Sequence, residues 1–171
     1  MLFLHRGAFI DDYIIQLLIT MFTTQLNLLL RQFRIPFEGI PYYFMDALVW
    51  KGMYSDGKIE NLLFNEYKDL FTSDLWEKEL VFIPYNIANI HWIFFAVNFT
   101  TGTYEVYDSF ECTQSSQNNH WPFIEKYLYR KYQYDNNEFC PFKFRKIKNR
   151  FSCPQHPGDS NDCALYVVCN I

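Results

Sequence analysis

Three short runs in the middle of the chain set its pattern. Residues 80–86 (LVFIPYN), 91–99 (HWIFFAVNF) and 102–108 (GTYEVYD) are rich in aromatic and β-branched side chains and are bounded by Asn and Gly, which is how consecutive β-strands read. In the middle run Trp92, Phe94 and Ala96 fall on one side of a strand and Ile93, Phe95 and Val97 on the other. Both sides are apolar, so this strand is predicted to be central and covered on both faces. Nearer the N-terminus the period changes. From about Asp11 to Phe33, the residues Ile14, Ile15, Leu17, Leu18, Met21 and Phe22 form a helical stripe that ends before Pro36. Short helices are predicted over 44–51 and 60–71, around the turn YSDGK. After the strands, ECTQSSQNNH reads as a surface loop, and a helix runs from Pro122 to Tyr132 with its proline favourably near the first turn. FKFRKIK returns as a strand, and a last helix opens at Cys163. Helices, a three-strand run, a helix, a strand and a helix make an α+β layout.

Composition narrows the class. A chain of 171 residues is read as one domain, 1–171, and with half its residues hydrophobic and a fifth aromatic it has the material for a dense interior rather than a disordered one. The net charge of −4 gives no general attraction to nucleic acid, and the basic cluster from Lys143 to Arg150 reads as a solvated strand and loop. The uncharged stretch from Tyr13 to Leu30 contains Gln16, Thr20, Thr23, Thr24, Gln25 and Asn27, too polar for a membrane span. Five cysteines, at 112, 140, 153, 163 and 169, form no regular framework and follow no cleavable signal, which points to a reducing compartment.

The candidate chemistry begins at SNDC, residues 160–163. Ser, Asn and Asp are helix-capping types, so Cys163 falls in a first helical turn, where free N–H groups and the helix dipole favour a thiolate. Taken alone, the same residue reads more readily as a buried small hydrophobe, which is where most free cysteines go. A nucleophilic cysteine needs a base, and a third group to hold that base. His5 lies in an N-terminal stretch prone to fray, and His120, between a polar loop and Pro122, is expected to cap the helix or to be solvated. His91 begins the central strand, and Asp108 ends the next one in VYDS. Paired through the turn at Thr101 and Gly102, the two become cross-strand neighbours, with Asp108 accepting from one ring nitrogen and the other left to take the proton of Cys163. Donors for an oxyanion are available from the Cys163 backbone N–H and from the Gln155 amide in the loop CPQHPGDSND.

With His91-Trp92, YDS at Asp108, a Gln-containing loop and NDC in that order, the chain resembles the Ulp/sentrin-specific proteases of ubiquitin-like modifiers. The resemblance runs from FIDDYII to the end. It implies an α+β papain-like cysteine peptidase fold, a central mixed or antiparallel sheet flanked by helices, with the catalytic order His-Asp-Cys. It further implies His91 as general base, Asp108 as its orienter, Cys163 as nucleophile and Gln155 as oxyanion donor. Trp92 matches an aromatic lid over a narrow tunnel for a Gly-Gly tail, and Phe9 takes the place of a second lid tryptophan. A tunnel that admits only residues without side chains selects its substrate by exclusion. Gln155 stands further from Cys163 than the family's usual glutamine, and Ala164 replaces the usual glycine. The family's C-terminal elements are missing after Ile171, which reads as truncation.

The implied activity is cleavage after the C-terminal Gly-Gly of a modifier of the SUMO or NEDD8 class, by a monomer in the nucleus or cytoplasm, with no cofactor, nucleic acid or membrane involved. Two other readings stay open: a catalytically weak module that binds such a modifier, and an acetyltransferase on a related fold. Zinc binding by Cys153, His156, Cys163 and Cys169 is disfavoured, because their spacing fits no common structural zinc pattern.

Overall fold

The computed structural model describes residues 15, 17–21, 24, 25, 28, 32, 42–45, 68, 73–87, 91–108 and 120–147. Among them, five strands form one mixed sheet in chain order: β1 (Tyr42–Phe44), β2 (Leu80–Ile87), β3 (His91–Asn98), β4 (Thr103–Asp108) and β5 (Arg145–Lys146). β2, β3 and β4 form an antiparallel meander, while β1 and β5 add in parallel at the two edges. A 3-10 turn at Ser73–Glu77 leads into β2, and helix α1 (Trp121–Asn136) separates β4 from β5. Residues 15, 17–21, 24, 25, 28 and 32 are helical, as the N-terminal pattern predicts, but the buried side carries Ile15 and Ile19, whereas Leu17 and Met21, expected in the apolar stripe, are exposed. No helix among the described residues is long and apolar enough to cross a membrane.

The alternation expected of β3 decides where the core sits. Ile93, Phe95 and Val97 are fully buried with Val81, Ile83 and Tyr85 of β2, Val106 of β4 and Trp121, Ile124, Tyr127 and Leu128 of α1. Trp92, Phe94 and Ala96 face the other way, against Ile15 and Ile19. Each fully buried side chain of this size contributes roughly 1.5–3 kcal/mol by leaving water, so the strand's two-sided burial makes it the mechanical centre of the fold. Pro84 is tolerated inside β2 because β1 pairs only with Leu80–Phe82 and leaves the proline beyond that ladder.

Helix α1 is longer than its sequence pattern suggested, running past Tyr132 to Asn136. Asn137 ends it in the left-handed conformation (φ 55°), its N–H bonded to the Gln133 carbonyl at 2.9 Å. Its buried side includes Lys131, which is 2% exposed and ion-paired with Asp135 one turn on. The second carboxylate oxygen of Asp135 accepts the Trp76 indole N–H at 2.7 Å and so ties α1 to the 3-10 turn.

Two expectations need correction. The helix placed over 44–51 begins in fact with a strand residue, Phe44, and Met45 is not helical; parallel pairing with Val81 and Phe82 outweighs the local pattern. FKFRKIK pairs only at Arg145 and Lys146, because Phe142 and Phe144 turn inward onto Trp76, Phe99 and Trp121 instead of continuing a ladder. The 3-10 turn at Ser73–Glu77 was not anticipated. Of the predicted helix over 60–71 only residue 68 is described, and it is a turn; the helix opened at Cys163 lies outside the described residues.

Gly102 closes the β3–β4 turn with φ +61°, and a Cβ there would stand 2.7 Å from the Lys143 carbonyl oxygen. That approach is built in, since the Arg145 N–H donates to the Gly102 carbonyl at 3.0 Å to dock β5. Gly102→Ala is therefore expected to destabilise the protein by about 1–3 kcal/mol, read from chemical denaturation.

Candidate active site

The site is built from strand ends. In β3 the odd positions, from His91 onward, face α1; in β4 the even positions do, because Ile93 pairs with Asp108, Phe95 with Val106 and Val97 with Tyr104. His91 and Asp108 therefore share a face. They are diagonal rather than directly opposed, His91 lying two residues before the partner of Asp108, a separation that side chains of this length can bridge.

They do bridge it. His91 Nε2 lies 2.7 Å from Asp108 Oδ1. An ionised carboxylate only accepts, so the ring donates Nε2–H, and Nδ1 is left as the nitrogen that can exchange a proton with a third group. The Asp108 side chain is 2% exposed and that of His91 10%, so the bond sits where water screens little. A short hydrogen bond to a buried carboxylate fixes the tautomer, orients the ring and favours the imidazolium once a proton arrives. That is the work of a base and its orienter in acyl transfer.

The structure places the other expected residues as follows. Trp92 is 3% exposed and lies on the opposite face of β3 from His91, in the cluster with Ile15 and Ile19; adjacent strand residues must point to opposite faces. Cys163, Gln155 and Phe9 lie outside the described residues, as do Cys153, His156 and Cys169. Among the described residues no group of three or more His, Cys, Asp or Glu side chains could hold a metal ion.

His120 is the feature that sequence reasoning undervalued. It stands at the start of α1 but makes no capping bond with its side chain. Its Nδ1 meets the Tyr85 hydroxyl at 3.2 Å, and its ring is tilted over the Tyr85 ring with centroids 5.1 Å apart. Burial pushes its imidazole below the ordinary histidine range, and the charge of Asp108 acts in the opposite direction. The HW dipeptide it shares with His91 was visible in the sequence, but its contact with a strand far earlier in the chain was not.

Residues 55–171 match the model of the Ulp1 protease family, C-terminal catalytic domain. Comparison with curated protein sequences returns no match. Among solved structures, a de-sumoylating protease is 17% identical with a TM-score of 0.70, the alignment covering 97% of this chain and 62% of that one. The C-terminal Ulp1 protease domain in complex with Smt3, the yeast orthologue of SUMO, is 15% identical with a TM-score of 0.60, covering 96% and 64%. The Xanthomonas campestris effector XopD bound to ubiquitin is 17% identical with a TM-score of 0.59, covering 98% and 74%. At these identities the likeness establishes a common α+β fold, and this chain spans less than two thirds of the first two structures.

Proposed function

The chain belongs to the Ulp1 protease family, and from that membership we propose that it is a thiol peptidase that cleaves after the C-terminal Gly-Gly of a ubiquitin-like modifier of the SUMO or NEDD8 class. The observation that carries the reading is the buried His91–Asp108 hydrogen bond at 2.7 Å, formed by the two residues that the sequence pattern names as base and orienter. Cys163 is the proposed nucleophile: His91 Nδ1 takes its proton, the thiolate attacks the glycine carbonyl, and Asp108 stabilises the imidazolium. The same imidazolium then protonates the departing amine. Water, deprotonated by His91, hydrolyses the thioester and restores the thiol. The Cys163 backbone N–H and the Gln155 amide are the proposed donors to the oxyanion. Trp92 and Phe9 are the proposed walls of the tail's tunnel, Trp92 in addition to its packing on Ile15 and Ile19.

The relatives support the choice of substrate: one is described as de-sumoylating, one holds Smt3 and one holds ubiquitin. Action on a modifier and its conjugates in the nucleus or cytoplasm is part of the same proposal.

The test uses SUMO and NEDD8 carrying a C-terminal vinyl sulfone. A covalent adduct formed by the wild type and absent in Cys163→Ala is the expected result. Reversible binding with no adduct would leave a modifier-binding module, and transfer of an acetyl group from acetyl-CoA to a protein would overturn the peptidase reading.

A further inference from the structure

The N-terminal helical segment buries one side and leaves the opposite side bare. Ile15 and Ile19 lie in the cluster with Trp92, Phe94 and Ala96 of β3. At about 100° of turn per residue, positions 17, 21, 24 and 28 fall on the side away from that contact. Leu17, Met21 and Leu28 there are 54%, 58% and 59% exposed. Thr24 completes the line. Its hydroxyl donates to the Thr20 carbonyl at 2.8 Å, so its polar atom is satisfied within the helix, and the stripe it joins carries no charge.

The four residues follow the alternating four-and-three spacing of a two-helix seam. The order is also the same from either end: Leu17 and Leu28, like Met21 and Thr24, lie symmetrically about one point between positions 22 and 23. A twofold axis requires this of a surface that meets itself, since residue i must contact j while j contacts i. Laid antiparallel about that point, two copies set Leu17 on the partner's Leu28 and Met21 on the partner's Thr24. The exposed Thr20 and Gln25, at the margins of the stripe, obey the same symmetry. Charge reinforces the direction. In the sequence the segment is preceded by Asp11 and Asp12 and followed by Arg31 and Arg34, so antiparallel copies align acidic with basic ends, where parallel copies would align like with like. A helix built to lie on a membrane borders its apolar face with Lys or Arg, whereas the exposed neighbours here, Thr20, Gln25 and Gln32, are uncharged.

We propose that this stripe is a homodimer interface, two copies of the chain packing antiparallel through Leu17, Met21, Thr24 and Leu28 about a twofold axis, in place of the monomer expected from the sequence. His91 and Asp108 face α1, on the other side of the sheet, so the seam and the dyad are separate and the inference does not depend on the peptidase reading. A seam of this length is small beside the roughly 1,200–2,000 Å² of a stable complex, so a weak dimer, forming in the upper micromolar range, is expected.

Sedimentation velocity of the whole chain from about 1 to 300 μM reads the association directly and needs no activity. The wild type is expected to pass from monomer to dimer across that range. Leu17→Glu and Leu28→Lys each put a charge into an apolar seam and are expected to weaken the dimer about tenfold or more. Both positions are exposed in the single chain, so the melting transition is expected to stay where it is. Residues 17 and 28 stand about three turns apart and cannot pair within one helix, but across an antiparallel seam they are neighbours. The double variant, Leu17→Glu with Leu28→Lys, is therefore expected to recover most of the lost affinity. A wild type that stays monomeric at the highest concentration overturns the proposal, and one that does so while co-sedimenting with phosphatidylcholine vesicles assigns the stripe to a lipid surface instead. Self-association that the single variants leave unchanged, or that the double variant fails to recover, overturns it as well.

Discussion

Asp108→Asn is expected to lower kcat on a SUMO C-terminal aminocoumarin amide by about 10⁴-fold while leaving the melting transition nearly unchanged, the magnitude seen when a serine protease loses the charge on the corresponding carboxylate. The reason lies in the two functions of one buried side chain. Asp108 Oδ1 holds His91 at Nε2, 2.7 Å away, and so keeps the ring's basic nitrogen at Nδ1. An asparagine is nearly the same shape, so Ile93 and the β3–β4 ladder are undisturbed. Its amide carries no charge to stabilise an imidazolium, and its NH₂ can present a donor to the ring and so favour the wrong tautomer. A loss confined to kcat identifies a contribution made as charge develops; a rise in KM alone would mean that Asp108 only shapes the substrate path.

The second large effect concerns stability. Asp135→Ala is expected to cost about 3–5 kcal/mol, measured by urea denaturation, because it strands the Lys131 ammonium, 2% exposed, inside the helix–sheet interface. It also removes the acceptor of the Trp76 indole N–H. Replacing both members of the pair, Lys131→Met with Asp135→Leu, is expected to recover most of that loss, since a well-packed apolar pair carries no desolvation penalty. A double variant no more stable than the single one would show that the indole contact, rather than the charge, dominates.

The parts of the fold that were legible in the sequence are those set by short-range period. β3 announces itself because six consecutive apolar or aromatic residues after His91, Trp92 to Val97, read as a strand buried on both faces. Its neighbours follow from the Asn and Gly that bound them. The edge strands were hidden for the opposite reason. β1 is three residues long, and its pairing with Leu80–Phe82 is decided by packing against a distant segment, while its own sequence runs on into a plausible helix. β5 was overextended because the apolar residues of FKFRKIK alternate as a strand should, yet Phe142 and Phe144 are drawn into a cluster with Trp76, Phe99 and Trp121.

The site divides along the same line. His91 and Asp108 were readable because a hairpin converts a sequence interval into a spatial one, although the register makes them diagonal neighbours rather than direct ones. His120 was misjudged because its environment is tertiary: the Tyr85 hydroxyl replaces the capping role that its position suggested. Trp92 was legible as a conspicuous aromatic beside His91, but strand alternation places it in the opposite layer of the core.

The central claim is that the His91–Asp108 dyad serves the Cys163 thiol, and the most direct test is the pH dependence of iodoacetamide alkylation at that cysteine, followed by mass spectrometry with no substrate present. The account predicts that Cys163 reacts as a thiolate well below the pKa of about 8.5 of a free cysteine, and that His91→Ala moves the transition back toward that value. A Cys163 that titrates like a free thiol in the wild type, or whose profile is the same with and without His91, would contradict it.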